Sequence, residues 1–216
     1  MPEDRVVMRN IRKRYGMVEA LRGVTLRVGV GEVVGLVGDN AAGKSTLMKI
    51  LAGAVIPDSG EILFGHRQVS FSSPRDARQI GIEMVYQDLA LCDDIDVAGN
   101  LFLGREPRRA AGMLLDTRRM HAEARAHLDA LNIRIPLTDI PVRDLSGGQR
   151  QAVAIARAVT FDPKLLIMDE PTAALAVAEV ETVLKLITTV AERGMSVIRN
   201  THRLQDLIRI CDRLCG

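Results

Sequence analysis

Val33-Val34-Gly35-Leu36-Val37-Gly38-Asp39-Asn40-Ala41-Ala42-Gly43-Lys44-Ser45-Thr46 joins an uncharged apolar run to a glycine-bounded loop and a lysine–serine pair. The run Val33 to Val37 predicts a short strand buried on both faces, the kind found in parallel sheets. From Lys44 to Leu51 the residues predict a helix. Strand, G-x-x-x-x-G-K-[ST] loop and helix in this order form a cradle for phosphate. The backbone N–H groups make a nest for phosphate oxygens, and the positive end of the helix adds to it. In this reading Gly38, Asp39, Asn40, Ala41, Ala42, Gly43, Lys44, Ser45 and Thr46 contact the nucleotide. Lys44 reaches the β- and γ-phosphates, and Ser45 ligates Mg²⁺.

A second apolar run, Leu165-Leu166-Ile167-Met168, ends at Asp169 and is followed by Glu170. A buried strand that stops at a carboxylate presents it at a sheet edge, where Asp169 would hold the metal. A carboxylate one position on is placed to polarise an attacking water as general base. Leu145-Ser146-Gly147-Gly148-Gln149 reads as a further nucleotide-contacting element, so that ATP hydrolysis is the chemistry expected of the whole.

Bulk properties bound the rest. The chain has 216 residues, which suits one compact α/β domain with an inserted subdomain. The net charge of +2, the absence of Trp and the lack of a basic block speak against nucleic acid as a partner. Cys92, Cys211 and Cys215 have no framework spacing, and reduced thiols are expected. Cys211 and Cys215, four positions apart, fit one helix face. His66, His121 and His127 are expected at the surface, and His121, Glu123 and His127 lack zinc spacing. The N-terminal residues lack an apolar signal region, and no stretch approaches the roughly 18 apolar residues of a spanning helix.

Strands are predicted over Val6 to Ile11, Val24 to Val28, Gly60 to Phe64, Ile82 to Tyr86, Leu165 to Met168 and Ser196 to Asn200, with turn signals between them. From Asp88 to Phe161 strand character disappears and helix formers dominate, as in Asp116 to Leu131 and Gln149 to Ala158. A helix is predicted over Val177 to Glu192.

Leu145-Ser146-Gly147-Gly148-Gln149-Arg150-Gln151 resembles the signature motif of ABC-type ATPases, and the other elements follow in that family's order along essentially the whole chain. The resemblance implies an α/β fold: a P-loop NTPase core with a mainly parallel sheet, an N-terminal antiparallel β subdomain and an inserted helical subdomain. Residues 1–87 and 159–216 would form the ATP-binding core, and 88–158 the helical, signature-bearing part. It implies that Tyr15 stacks on adenine. Gln87, in the glutamine loop, would link γ-phosphate and Mg²⁺ to the helical subdomain, and His202 would be the switch histidine. Catalysis would then rest on Glu170, His202 and Gln87, and the metal would sit on Ser45, Gln87 and Asp169. Two copies, or a pair of related subunits, would pack head to tail, with Ser146, Gly147, Gly148 and Gln149 of one facing ATP on the other. Pro171 to Ala176 matches the D-loop.

The segments Ser73 to Arg78, Gly81 to Leu89, Asn100 to Glu106 and Glu170 to Leu175 are similar to the monosaccharide-import ATPases of bacteria. The implied partners are membrane permease subunits and, indirectly, a periplasmic sugar-binding protein. The implied location is peripheral, on the cytoplasmic face of the inner membrane. Asp93, Asp94 and Asp96 either face a permease helix or form a solvated acidic loop. A non-transport ABC ATPase and a regulatory nucleotide-binding module are the alternative readings. The family pattern also runs on into another strand beyond Gly216, and many sugar-branch relatives carry two such units in one chain.

Two residues depart from the family pattern. Arg199 stands in an apolar strand, where an unpaired guanidinium is costly unless it snorkels or meets a carboxylate. Ala41 stands where Gly is usual. If that position needs positive φ, Ala costs about 1–2 kcal/mol there, which is about tenfold or more in ATP affinity if it falls wholly on the bound loop. Gly38 and Gly43 remain, so ATP binding is expected to persist in weakened form. Equilibrium titration should give a Kd below millimolar, and a weaker value contradicts the reading.

Overall fold

The computed structural model describes residues 3–39, 42–109, 112–172, 175–201 and 203–216. In chain order the elements are β1 (Asp4–Tyr15), β2 (Val18–Gly29), β3 (Val33–Leu36), α1 (Lys44–Leu51), β4 (Ser59–Phe64), β5 (Arg67–Val69), α2 (Pro74–Gln79) and β6 (Ile82–Val85). There follow α3 (Val97–Phe102), β7 (Arg108–Arg109), β8 (Leu114–Leu115), α4 (Thr117–Ala130), α5 (Gly147–Val159), β9 (Leu165–Asp169), α6 (Val177–Glu192), β10 (Ser196–Asn200), α7 (Leu204–Ile210) and β11 (Arg213–Cys215).

Contacts divide the chain into two compact units. The first comprises Met1–Gln87, Asp162–Ala173 and Val190–Gly216, and the second Asp88–Phe161 and Ala174–Thr189. The first part of α6 thus clusters with the helical unit.

In the first unit, among the described residues, β2-β1-β4-β5 form an antiparallel sheet and β11-β3-β10-β9-β6 a parallel one. The apolar runs of the sequence become strands buried along their whole length, as in β3 and β9. Met8, Ile11 and Leu21 of the antiparallel sheet share one core with Met48 and Leu51 of α1 and with Leu165, Ile167 and Ile198 of the parallel sheet. β1 and β2 extend well past the predicted Val6–Ile11 and Val24–Val28. Their pairing runs on through Arg12↔Arg22 and Arg14↔Glu19 to Tyr15↔Val18, where Gly16 at φ +56° turns the chain. Backbone ladder bonds and the Lys13–Asp58 ion pair at 2.8 Å carry the sheet beyond its apolar part.

The second unit is built on α3, α4 and α5, with α6 alongside. Each of the three helices opens on a polar cap. Asp96 accepts from the Gly99 N–H at 2.6 Å, Asp116 accepts from Arg119 N–H at 3.1 Å, and Ser146 with Gln149 forms a reciprocal capping box. Strand character does not vanish here, as the sequence suggested: β7 and β8 pair through Arg108↔Leu115 and Arg109↔Leu114. Two of the histidines are less exposed than expected. His121 Nδ1 lies 3.0 Å from Thr138 Oγ1, and the His127 ring packs 6.0 Å from that of Phe102.

Cys211 and Cys215 do not share a helix. Cys211 ends α7 and Cys215 lies in β11. The chain leaves the helix because Asp212 accepts from Val33 N–H at 2.8 Å and the next residue, Arg213, donates to Glu32 at 2.8 Å, which adds β11 parallel to β3. Burial pushes the Cys211 thiol up to about 11.

Arg199, fully buried in central β10, finds the carboxylate it needs. Nη2 donates to Thr172 Oγ1 at 3.0 Å and to Asp206 Oδ2 at 3.3 Å, and Thr172 Oγ1 also donates to Asp206 at 3.2 Å. Desolvation still depresses the guanidinium pKa. Removing one member of such a pair strands a buried charge. Asp206→Ala is therefore expected to cost about 3–5 kcal/mol in urea unfolding, and the double variant Arg199→Met/Asp206→Leu to recover most of that loss. A double variant no more stable than Asp206→Ala contradicts this account.

Candidate functional site

Parallel strands end together, and here three C-terminal ends meet. Asn200 of β10 pairs with Leu36 of β3 on one side and with Asp169 of β9 on the other. β3 runs on into the Gly38–Thr46 loop, so that loop, Asp169 and Asn200 stand at the same sheet edge, where ligands bind in open α/β sheets.

Around this edge lies a cleft of about 510 Å³. Its walls hold Tyr15, Asp39, Ala42, Gly43, Lys44, Ser45, Thr46, Gln87 and Glu170, all expected from the sequence, together with Val18, Glu19, Ala20 and Asn200. Gly38 sits at φ +133° and Gly43 at φ +78°, backbone that favours glycine. At Gly43 even an ideal methyl would lie 2.4 Å from the Ala20 carbonyl oxygen, so the loop is pressed against the antiparallel sheet. Lys44 Nζ donates to the Gly38 and Asp39 carbonyls at 2.6 and 2.7 Å, which fixes its ammonium over the loop. Asn40, Ala41 and His202 lie outside the described residues, as do Ala173 and Ala174 of the expected D-loop.

Tyr15 stands at the tip of the β1–β2 hairpin, 48% exposed, with Lys13 Nζ 5.6 Å from its ring centroid. A half-exposed ring beside exposed Val18 offers a flat apolar face at the mouth of the cleft.

Ser45 lies in the first turn of α1, and its Oγ is 3.4 Å from Asp169 Oδ1. Asp169 is 7% exposed. A serine hydroxyl, a carboxylate and the nearby amide of Gln87 are hard oxygen donors, the set that suits Mg²⁺. Glu170 adopts φ +52°, unusual for a side-chain-bearing residue, and donates its N–H to the Asn200 carbonyl at 3.0 Å. Left-handed backbone there costs about 1–2 kcal/mol, and the strained turn sets Glu170 against the cleft directly after the buried Asp169.

Ser146, Gly147, Gly148 and Gln149 belong to the second unit, at the start of α5. The Ser146 hydroxyl accepts from Gln149 N–H at 3.3 Å, while Gln149 Oε1 accepts from Ser146 N–H at 3.0 Å. The S-x-x-Q spacing carries this capping box as well as the signature. The free end of the helix already holds an anion. Glu179 of α6 accepts from Gly148 N–H at 2.9 Å and from Ala176 N–H at 3.2 Å. The Gly148 amide foremost, then that of Ala176 and the Ser146 hydroxyl, lower its pKa.

Two site residues escaped the sequence reading. Asn200 ends β10 directly after Arg199, which drew the attention in that strand, and lies opposite Asp169. Glu179 follows Ala176 at capping-box spacing, although Ala176 lacks the cap hydroxyl.

A family model described as ABC transporter matches residues 21–173. The xylose/arabinose import ATP-binding protein XylG of Sulfolobus acidocaldarius is 46% identical over 98% of this chain and 83% of its own length. The fructose import ATP-binding protein FrcA of Rhizobium meliloti is 44% identical over 98% and 84%. Ribose import ATP-binding protein RbsA 1 of Streptomyces coelicolor is 42% identical over 97% of this chain but only 41% of its own, so the chain spans about two fifths of that relative. Among solved structures, the ADP conformation of MJ1267, an ATP-binding cassette of an ABC transporter, superposes with a TM-score of 0.82 at 26% identity, covering 98% of this chain and 86% of that one. The dimeric post-hydrolysis state of the cassette MJ0796 bound to ADP and Pi gives 0.81 at 27% identity, over 97% and 92%. With the phosphate loop, the strand-end carboxylates and the signature helix all present, the chain belongs to the ABC transporter family.

Proposed function

We propose that this chain is the ATP-hydrolysing subunit of an importer for a monosaccharide. The observation that carries the chemistry is the single cleft holding Lys44, Ser45, Gln87 and Glu170, with Asp169 reaching Ser45 from the adjoining strand end. The import role rests on relatives named for the import of xylose/arabinose, fructose and ribose. The partners of this reading are membrane permease subunits, served by a sugar-binding protein. This reading places the subunit at the cytoplasmic face of the membrane, beside its permease; among the described residues no helix is long and apolar enough to cross a membrane.

In this reading Tyr15 stacks against the adenine and the loop amides between Gly38 and Thr46 take the phosphate oxygens. Lys44, already poised over the loop, neutralises charge on the β- and γ-phosphates. Ser45, Asp169 and Gln87 hold Mg²⁺. Bound there, the ion neutralises charge that builds on the transferred group. Glu170 orients the attacking water and takes its proton, and His202 contacts the γ-phosphate. The start of α5 from a second copy, or from a paired subunit, closes over the nucleotide with Ser146, Gly147, Gly148 and Gln149. The Glu179 carboxylate now bound there supports this part, because the Gly148 amide at the helix start already donates to an anionic oxygen. ATP joins the two copies, and hydrolysis lets them part, which transmits differential affinity for ATP and ADP to the permease.

Removing the general base while keeping its shape separates binding from chemistry. Glu170→Gln is expected to bind ATP, to elute as a dimer with it in size-exclusion chromatography, and to lose turnover by about a hundredfold or more in a phosphate-release assay. Steady turnover by this variant removes Glu170 from the role. Co-purification with a permease, followed by ATP-driven uptake of a panel of monosaccharides into vesicles, tests the import reading itself. Failure to transport any of them while hydrolysis persists refutes import and leaves the ATPase standing.

A further inference from the structure

Asn200 is 2% exposed and lines the cleft, yet the phosphate loop and the strand-end carboxylates account for the chemistry without it. Its Nδ2 donates to Asp169 Oδ1 at 2.9 Å, the same oxygen that lies 3.4 Å from Ser45 Oγ. Its backbone carbonyl accepts from Glu170 N–H at 3.0 Å. One residue therefore grips both members of the acidic pair, Asp169 by its side chain and Glu170 by its main chain. The orientation of the amide follows from electrostatics: turned over, it would set its oxygen 2.9 Å from a carboxylate oxygen. Oδ1 is thereby left buried and without a hydrogen-bond partner among the described residues. A buried acceptor without a partner carries a desolvation penalty unless something in the site supplies a hydrogen.

We infer that Asn200 is a positioning residue for the cation site. Its N–H holds the Asp169 carboxylate in the rotamer that faces Ser45. A carboxylate that ligates a cation is itself held by a hydrogen bond from behind, and the loss of that partner loosens the ligand. The amide is neutral, and it orders Asp169 without neutralising the carboxylate, as a lysine or arginine in its place would. The inference rests on Asp169 as a cation ligand, and the test separates the two.

The measurement is cation affinity, read apart from turnover. Mn²⁺ replaces Mg²⁺ as the probe and is titrated by electron paramagnetic resonance into the full chain with saturating ATP. ATP affinity is measured in parallel in EDTA by equilibrium fluorescence with a labelled nucleotide. Asn200→Leu, close in shape and without polar atoms, is expected to weaken Mn²⁺ by about tenfold, the lower end of what loss of a group supporting a metal ligand costs. Metal-free ATP affinity should stay within about twofold, a span worth well under a tenfold step in binding energy. Asn200→Ser, which keeps a hydroxyl donor in a smaller side chain, serves if the leucine variant does not fold and should show the same selective loss to a smaller degree. Unchanged Mn²⁺ affinity in the Asn200 variants overturns the inference, and so does an equal loss of Mn²⁺ and metal-free ATP binding, which marks a merely structural residue. Asp169→Asn is the control. If Mn²⁺ affinity survives that change, the metal reading of Asp169 falls and the inference falls with it. If only Asp169→Asn weakens Mn²⁺, the site reading stands and the role of Asn200 is refuted.

Discussion

The parallel register of β3, β10 and β9 is the constraint on which the rest of this molecule depends. Val197↔Val33 and Val197↔Leu166 align the strands so that all three finish level, at Leu36, Asn200 and Asp169. A slip of one residue would turn every side chain of β10 to the other face of the sheet. Arg199 would then point into the cleft and Asn200 away from it. Buried apolar side chains on both faces hold the register: every residue of β3 and of β9 is buried, and Val197 and Ile198 are fully buried.

The same constraint explains how a central strand tolerates two adjacent polar residues. Alternation sends Arg199 and Asn200 to opposite faces. On one face the guanidinium meets Thr172 and Asp206, which draws the segment just after Glu170 against α7. On the other the amide meets Asp169. β10 thus ends as a polar strut between the carboxylates before it and the helix after it. An apolar pair would pack there at less electrostatic cost, because buried ion pairs seldom repay their desolvation in full. What the polar pair supplies is direction, since hydrogen bonds of this geometry permit one arrangement of Asp169 and Thr172.

How legible the site was in the sequence depended on the range of the forces involved. The phosphate loop could be read because its requirements are local. Positive φ at Gly38 and Gly43 and a helix beginning at Lys44 are all written within a few residues. Asp169 and Glu170 could be read because a buried run must end somewhere and a carboxylate marks the end. The partner of Arg199 could not be read, since Asp206 and Thr172 are among many acids and hydroxyls of similar spacing. The length of β1 and β2 was equally hidden, because their outer thirds are held by backbone pairing and by exposed ion pairs, which leave no apolar period. Ser146 shows a further limit. Its motif was legible, but the same serine and Gln149 also cap the helix they introduce, and one spacing encodes both uses.

Glu179 completes the same helix start. The first amides of a helix lack partners within it, and α6 supplies an anion for the buried Gly148 N–H from within its own unit. The contact is single-sided: one carboxylate oxygen takes Gly148, while the other is spent on Ala176, which has no side-chain cap of its own. One carboxylate thus satisfies the openings of two helices, and the buried Gly148 amide keeps an anionic oxygen from within its own unit.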